Sequence, residues 1–267
     1  MKIYPLQFEK IIVNNSWGDE ELLLCDNYIK SKVKNGELKN KDFTYVMNHY
    51  AKNLIGEDKF IFPLLVKKVN VKEESPIHVH PSNKSELIYA LNNSKINGGV
   101  KSLFDKEKLK DDQKILLDNI KNYDLNASDI CYIKPGTLHQ LEKDLSCFVI
   151  TDNIDATYNL YDSKNNNLNL KQGIESFMPL SDLEISNKAN FDGKIYAKVE
   201  MVEGRKIIEE DESYKIIIPL EGKLAIETNT DFFDMDNLEV TLVPYDVTGY
   251  SIVGYGKYLD IKPNMFM

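Results

Sequence analysis

Short apolar segments recur at roughly ten-residue intervals along most of this chain, and glycine and proline residues separate many of them. Segments rich in β-branched and aromatic residues include 60–71, 130–133, 147–151 and 214–220. Repeated short strands of this kind are typical of β-sandwiches and jelly rolls. The sequence therefore predicts a fold dominated by β-structure, with strands in both halves of the chain.

Two segments depart from the β pattern. Between residues 41 and 54 apolar side chains recur at intervals of three and four, which predicts a helix with one buried face. Residues 101–125 combine many charges with apolar positions at helical spacing, so we expect a helical insertion there. The rest of the chain should form strands and turns.

The strand pattern occurs in two blocks. Asp129–His139 and Leu238–Asp246 each read as a strand that ends at a proline turn, and Pro219–Gly222 reads as a turn before the second. A polar stretch up to about residue 188 reads as a connector. We therefore predict two cupin-like jelly-roll domains, residues 1–188 with the helical insertion and residues 189–267.

The segment Pro76–Glu86 concentrates residues able to bind a metal. On an extended strand His78 and His80 project to the same side, and Glu86 opens the next apolar strand. A third histidine, His139, follows the Pro-Gly turn of the first block. These four side chains are a ligand set for one divalent ion, with zinc expected and iron, manganese, cobalt and nickel left open.

An isolated His-x-His pair is more often a pair of exposed or hydrogen-bonded histidines than a metal site. The chain has only four histidines, and three lie in the two segments just described. The fourth, His49, falls among the polar positions of the predicted helix and should be exposed. The second block contains no histidine, so the metal site should be in the first domain alone.

Charge and composition exclude some function classes. The net charge is −9 with no basic block, which argues against nucleic-acid binding. No apolar run reaches the roughly 20 residues that a membrane span needs. The three cysteines lie in apolar contexts without paired spacing, as expected of reduced, buried thiols. With no export signal at the N-terminus, we expect a cytoplasmic protein.

The order of several short motifs resembles that of the type I phosphomannose isomerases, the zinc-dependent, two-cupin mannose-6-phosphate isomerases. The likeness runs nearly from end to end. The matching segments are Trp17-Gly18, Phe62–Lys67, His80-Pro81, Lys84–Glu86, Pro135–His139, Asp155–Asp162 and Gly249–Gly254.

The resemblance implies an isomerase that interconverts mannose 6-phosphate and fructose 6-phosphate through an enediol. Its small-molecule substrate would then be a phosphosugar. The metal ligands implied are His80, Glu86, His139 and, in place of the family's glutamine, His78. Lys67 and Lys84 fall where the family has lysines in the substrate pocket, where they would stabilise the enediolate or hold the phosphate.

Two departures from the family pattern concern arginines. Asn159 and Asn165 stand where the family has arginine, and the loss of a cationic fork weakens phosphate binding. The alternatives are therefore a divergent cupin enzyme acting on another sugar, or a sugar-binding cupin without catalytic activity. The sequence leaves the oligomeric state and the catalytic base open.

Overall fold

The structure is a computed structural model that describes residues 2–57, 59–164, 167–187, 195–209 and 213–263. Asn165, one of the two positions of a family arginine, lies outside the described residues.

The described residues form eighteen strands, three α-helices and one 3₁₀ helix. The strands are β1 (Leu6–Gln7), β2 (Ile11–Asn15), β3 (Gly18–Leu24), β4 (Leu64–Val71), β5 (Ile77–Val79), β6 (Glu86–Ala90), β7 (Ser94–Val100), β8 (Ile120–Leu125), β9 (Ile130–Ile133), β10 (His139–Leu141), β11 (Ser146–Asp152), β12 (Tyr158–Tyr161), β13 (Leu183–Ser186), β14 (Ile195–Ile208), β15 (Lys215–Glu227), β16 (Phe232–Met235), β17 (Thr241–Val243) and β18 (Tyr250–Pro263). The helices are α1 (Phe43–Ile55), α2 (Ile115–Asn119) and α3 (Leu170–Ser176), with the 3₁₀ helix at Lys106–Lys110.

The chain divides into two compact units. The first unit comprises Ile12–Leu22 and Leu64–Gly193. It contains a five-stranded sheet in the order β12-β5-β10-β7-β8 and most of a seven-stranded sheet in the order β13-β9-β6-β11-β4-β3-β2. One buried apolar cluster joins the two sheets, with Ile88 and Val149 from the larger sheet and Ile96 and Leu141 from the smaller. Burial of this apolar surface holds the sheets face to face.

The other face of the five-stranded sheet is covered by helices. Ile77 and Val79 of β5 are fully buried there, in a cluster with Leu116 of α2 and Ile174 of α3. Because side chains alternate along a strand, this packing turns His78 to the interior between the sheets. Burial of Ile77 and Val79 thus sets the direction in which His78 points.

The second unit comprises Met1–Ile11, Leu23–Pro63 and Lys194–Met267. Its sheet has the order β1-β17-β15-β18-β14, and β16 pairs with β15. The N-terminal part is tied to the C-terminal strands, since Leu6 pairs with Leu242 and the Tyr245 backbone N–H donates to the Leu54 carbonyl at 2.9 Å. The predicted first domain, residues 1–188, therefore includes N-terminal segments that the structure groups with the C-terminal strands.

The helical insertion predicted for residues 101–125 is wrong over its last part. The 3₁₀ helix and α2 are short, and Ile120–Leu125 form strand β8, which pairs with β7. Pairing with β7 satisfies the backbone hydrogen bonds of residues 120–125. The charged local sequence gives no indication of this pairing. The predicted connector before residue 188 likewise contains α3 and β13, and β13 pairs with β9.

Pro219–Gly222 does not form the predicted turn. It lies inside the continuous strand β15, with an irregularity between Pro219 and Glu221. Gly222 has φ 89°, and a Cβ there would lie 2.0 Å from the Tyr255 carbonyl oxygen. Only glycine permits this close approach of β15 to β18.

The predicted helix at 41–54 is confirmed by α1, and so is the prediction of a mainly β fold. Cys25, Cys131 and Cys147 are buried free thiols, as expected. Burial raises the pKa of Cys147 to about 12. Within the described residues, no helix is long and apolar enough to cross a membrane.

Replacing Val79 with Thr tests the packing behind the histidine strand. We expect Val79→Thr to lower the free energy of unfolding by about 1–3 kcal/mol, because it puts a hydroxyl into a fully buried apolar cluster. The control Val199→Thr, at a side chain with 38% exposure, should cost less than about 0.5 kcal/mol. Urea unfolding of both variants measures the difference, and equal costs would contradict the packing described.

Candidate metal centre

Three histidines converge between the two sheets of the first unit. In the antiparallel pairing of β10 with β5, His139 lies directly opposite His78. Residues paired in this way project from the same face of the sheet. His80 follows β5 two residues after His78 and returns to the same side. One potential ligand atom from each histidine can be chosen so that all three lie within 4.8 Å of one another.

Each imidazole is oriented by a backbone carbonyl. Nδ1 of His78 lies 2.8 Å from the Pro76 oxygen, and Nδ1 of His139 lies 2.9 Å from the Thr137 oxygen. Nδ1 of His80 lies 3.2 Å from the Ala156 oxygen. A carbonyl oxygen only accepts hydrogen bonds, so each Nδ1 carries the proton and each Nε2 keeps its lone pair. This tautomer is the one in which Nε2 can bind a metal.

Glu86 reaches the same point from the opposing sheet. Its Oε1 lies 3.0 Å from Nε2 of His80, and its Oε2 lies 3.6 Å from Nε2 of His139. Neither Nε2 atom is exposed, and neither makes a hydrogen bond within the described residues. Nitrogen lone pairs facing a buried carboxylate are electrostatically unfavourable unless a cation lies between them. The arrangement therefore fits a divalent cation.

The ionisation states favour metal binding near neutral pH. Burial, reinforced by the neighbouring histidines, holds the pKa of His78 well below its usual value. Burial likewise lowers the pKa of His80 to about 4, against the opposing effect of Glu86. Burial raises the pKa of Glu86, but charged neighbours that include Lys84 lower it by more, so the net shift is downward. His78 and His80 are thus neutral imidazoles and Glu86 is a carboxylate near neutral pH, the forms that bind zinc.

Lys67 projects into the interior, whereas its neighbour Lys68 does not. Lys67 pairs with Val149, and Val149 pairs with Ile88, two residues from Glu86 on β6. Lys67 therefore shares the inner face with Glu86. Its Nζ lies 2.5 Å from Oε1 of Glu20, whereas Lys68 pairs with Glu21 at 3.2 Å on the other face. Burial lowers the pKa of Lys67, but Glu20 and Glu86 raise it more, so it is cationic.

Lys84 is a second buried cation beside the cluster. Its side chain donates to the Ala156 carbonyl at 3.2 Å, the same carbonyl that orients His80. Burial lowers the pKa of Lys84, although Glu86 opposes this shift. Lys84 thus lies close to the predicted metal ligands and is weakly hydrated.

Two features of the site were not evident from the sequence. Glu20, on β3, pairs with Lys67, and the sequence does not distinguish it from its acidic neighbours Asp19 and Glu21. Asn159 lies directly opposite His78 in the pairing of β12 with β5, so it projects from the same inner face. Position 159, where the resembled family has an arginine, thus borders the histidine cluster.

The outcome for the individual residues follows from this geometry. The structure brings together the four predicted ligands, His78, His80, Glu86 and His139, with Lys67 and Lys84 on the same interior. His49 is exposed on α1, where its Nδ1 lies 2.8 Å from the Tyr45 carbonyl oxygen. Its predicted exposure is confirmed.

Comparison with known proteins points to one group of enzymes. No protein-family model matches the sequence. GmuF and YvyI of Bacillus subtilis (strain 168), which both carry the name mannose-6-phosphate isomerase, match this chain. GmuF is 26% identical over 196 residues, 60% of this chain and 61% of GmuF. YvyI is 30% identical over 151 residues, 49% of this chain and 47% of YvyI. The chain thus spans less than two thirds of either relative.

The fold matches over almost the whole chain. The crystal structure of the mannose 6-phosphate isomerase from Bacillus subtilis superposes with a TM-score of 0.87, covering 97% of this chain and 100% of that one. The identity is 19%, so this likeness speaks for the fold alone. Together the comparisons confirm the resemblance that the motifs indicate, and with it the predicted double-cupin fold.

Replacing His139 tests whether the cluster holds a metal. We expect His139→Ala to lower metal affinity more than about 100-fold, since even indirect changes around a metal site cost 10–100-fold. Chelator should lower the melting temperature of the wild type but have little effect on the variant.

The matched control is His49→Ala, which removes an exposed histidine. This variant should keep the wild-type metal content, measured by elemental analysis after dialysis. Full, chelator-sensitive metal content in His139→Ala would exclude His139 as a ligand.

Proposed function

We propose that this chain, a divergent relative of the mannose-6-phosphate isomerases, is a metal-dependent aldose-ketose isomerase that interconverts mannose 6-phosphate and fructose 6-phosphate. The observation that carries the proposal is the buried cluster of three histidines and Glu86, with Lys67 and Lys84 beside it. The curated relatives with this name support the substrate class.

The ligand set proposed for the metal is His78, His80, Glu86 and His139, with zinc as the expected ion. When bound there, a divalent cation would polarise the sugar's carbonyl and hydroxyl oxygens. The buried surroundings would strengthen that effect, because they exclude water from the reacting atoms.

The lysines have distinct parts in the proposal. Isomerisation takes a proton from C2 of the open-chain aldose and delivers a proton to C1, with negative charge developing on oxygen between the two steps. Lys84, buried beside the cluster, would stabilise that charge. Lys67 stays cationic through Glu20 and is placed to bind either the enediolate oxygen or the phosphate.

A coupled assay of purified, zinc-loaded protein with mannose 6-phosphate tests the function. We expect fructose 6-phosphate to form, and turnover to stop after chelator treatment and return with added zinc. A protein that binds stoichiometric metal but gives no turnover would refute the isomerase proposal.

The two adjacent lysines of β4 provide a matched pair of variants. We expect Lys67→Met to lower kcat/KM by about 100-fold or more, as for other charged groups that stabilise a transition state. Lys68→Met should leave it unchanged, because Lys68 pairs with Glu21 on the face away from Glu86. Steady-state kinetics on both variants decides the point. Equal effects would show that Lys67 acts only through stability.

Asn159 favours a second candidate, a cupin enzyme acting on another sugar or a sugar-binding cupin without turnover. The side chain on the inner face opposite His78 is a neutral amide, which cannot pair with a phosphate as arginine does. Under that function the site would accept a sugar without phosphate.

Asn159→Arg distinguishes the two candidates. If the site is built for mannose 6-phosphate, we expect the added guanidinium to lower KM or raise kcat for that substrate severalfold. Kinetics with mannose 6-phosphate and mannose, compared between variant and wild type, measures the effect. No change with either sugar would show that residue 159 does not face the substrate.

A further inference from the structure

The unit that holds the C-terminal strands contains an open cavity of about 410 Å³. Its walls come from residues 2–5, from Gly36 and Glu37, and from residues 228–231, 233 and 246–248. None of the predicted metal ligands or active-site lysines lines it. The volume lies within the roughly 300–1,000 Å³ range typical of small-molecule sites.

Two aromatic rings, together with Ile3, Pro5 and Val247, form the apolar part of this cavity. Tyr4 and Phe233, the latter on β16, have ring planes within 4° of parallel and centroids 6.1 Å apart. Tyr4 is fixed in place, because its hydroxyl accepts from the Leu38 backbone N–H at 2.7 Å and donates to the Asn35 carbonyl at 3.2 Å. The ring also packs on Gly36, where an added Cβ would come within 2.4 Å of it.

A preformed turn supplies much of the polar wall. The Thr228 backbone N–H donates to the Asp231 carbonyl at 2.9 Å, and the Asp231 N–H donates to the Thr228 hydroxyl at 3.0 Å. Thr230 lies between them in the same turn. A rigid wall of this kind loses little conformational entropy when a ligand binds.

The charges of the wall disfavour an anionic ligand. Its ionisable groups are the carboxylates of Glu37, Asp231 and Asp246 and the ammonium group of Lys2. Carboxylates accept hydrogen bonds from hydroxyl groups but repel phosphate. Asn229 and Thr248 add groups that both donate and accept, which suits sugar hydroxyls; an organic cation could use only the acceptors.

We infer that this cavity is a binding site for a neutral saccharide, separate from the histidine cluster. The sugar ring lies with its C–H face against Tyr4 or Phe233, and its hydroxyls donate to the carboxylates. The inference is independent of the isomerase proposal, since it uses no residue of the histidine cluster and requires no turnover.

Ligand-observed NMR titrations of the full-length protein test the inference. The titrations use the His139→Ala variant, so that sugar binding at the histidine cluster is weakened while the cavity is unchanged. The probes are methyl α-mannoside, methyl α-glucoside, mannose 6-phosphate and putrescine. We expect at least one neutral glycoside to bind in the millimolar range or tighter, and more tightly than the two charged probes.

Phe233→Leu in the same background keeps an apolar side chain but removes the aromatic face. We expect it to weaken glycoside binding about tenfold, while the unfolding transition confirms that the variant is folded. Glu37→Lys, at an exposed position, should instead raise the affinity for mannose 6-phosphate relative to the glycoside.

Three outcomes would overturn the inference. The first is that neither glycoside binds, and the second is that a charged probe binds the His139→Ala protein more tightly than both glycosides do. The third is that glycoside binding is unchanged in both folded variants. If Phe233→Leu does not fold, Glu37→Lys alone decides, because an unchanged preference between phosphate and glycoside would place the ligand elsewhere.

Discussion

The first unit depends on one interaction, between the buried carboxylate of Glu86 and the Nε2 atoms of His80 and His139 that it faces. Three backbone carbonyls orient the three imidazoles so that their lone pairs point inward. Without a cation this arrangement places electron-rich atoms against a buried charge, which costs free energy. Metal binding and folding of this unit are therefore expected to be coupled.

The same constraint explains why the surrounding cations are arranged as they are. Lys84 shares the Ala156 carbonyl with His80, and Lys67 reaches the interior with Glu20 as its partner. Pairing keeps Lys67 charged despite burial, whereas burial lowers the pKa of Lys84. The interior thus combines a buried carboxylate with two different ammonium groups, a combination suited to stabilising negative charge on the oxygen of a bound ligand.

The proposed functions differ in the charge of the substrate that each requires. The inner face carries cations at Lys67 and Lys84 but a neutral amide at Asn159, opposite His78. The aromatic cavity of the other unit has mainly acidic ionisable groups in its wall, which disfavours a phosphosugar there. The two cavities differ in electrostatic character, and each can be tested without the other.

Local sequence determined much of this protein. Alternation in Pro76–His80 placed two histidines on one side, and the order of short motifs indicated the fold and predicted the ligand set. Tertiary structure decided the rest. Only strand pairing shows that Lys67 faces inward while Lys68 does not, that Glu20 is its partner, and that 120–125 is a strand. These features depend on residues distant in sequence, and backbone groups satisfied across a sheet leave little trace in the local pattern.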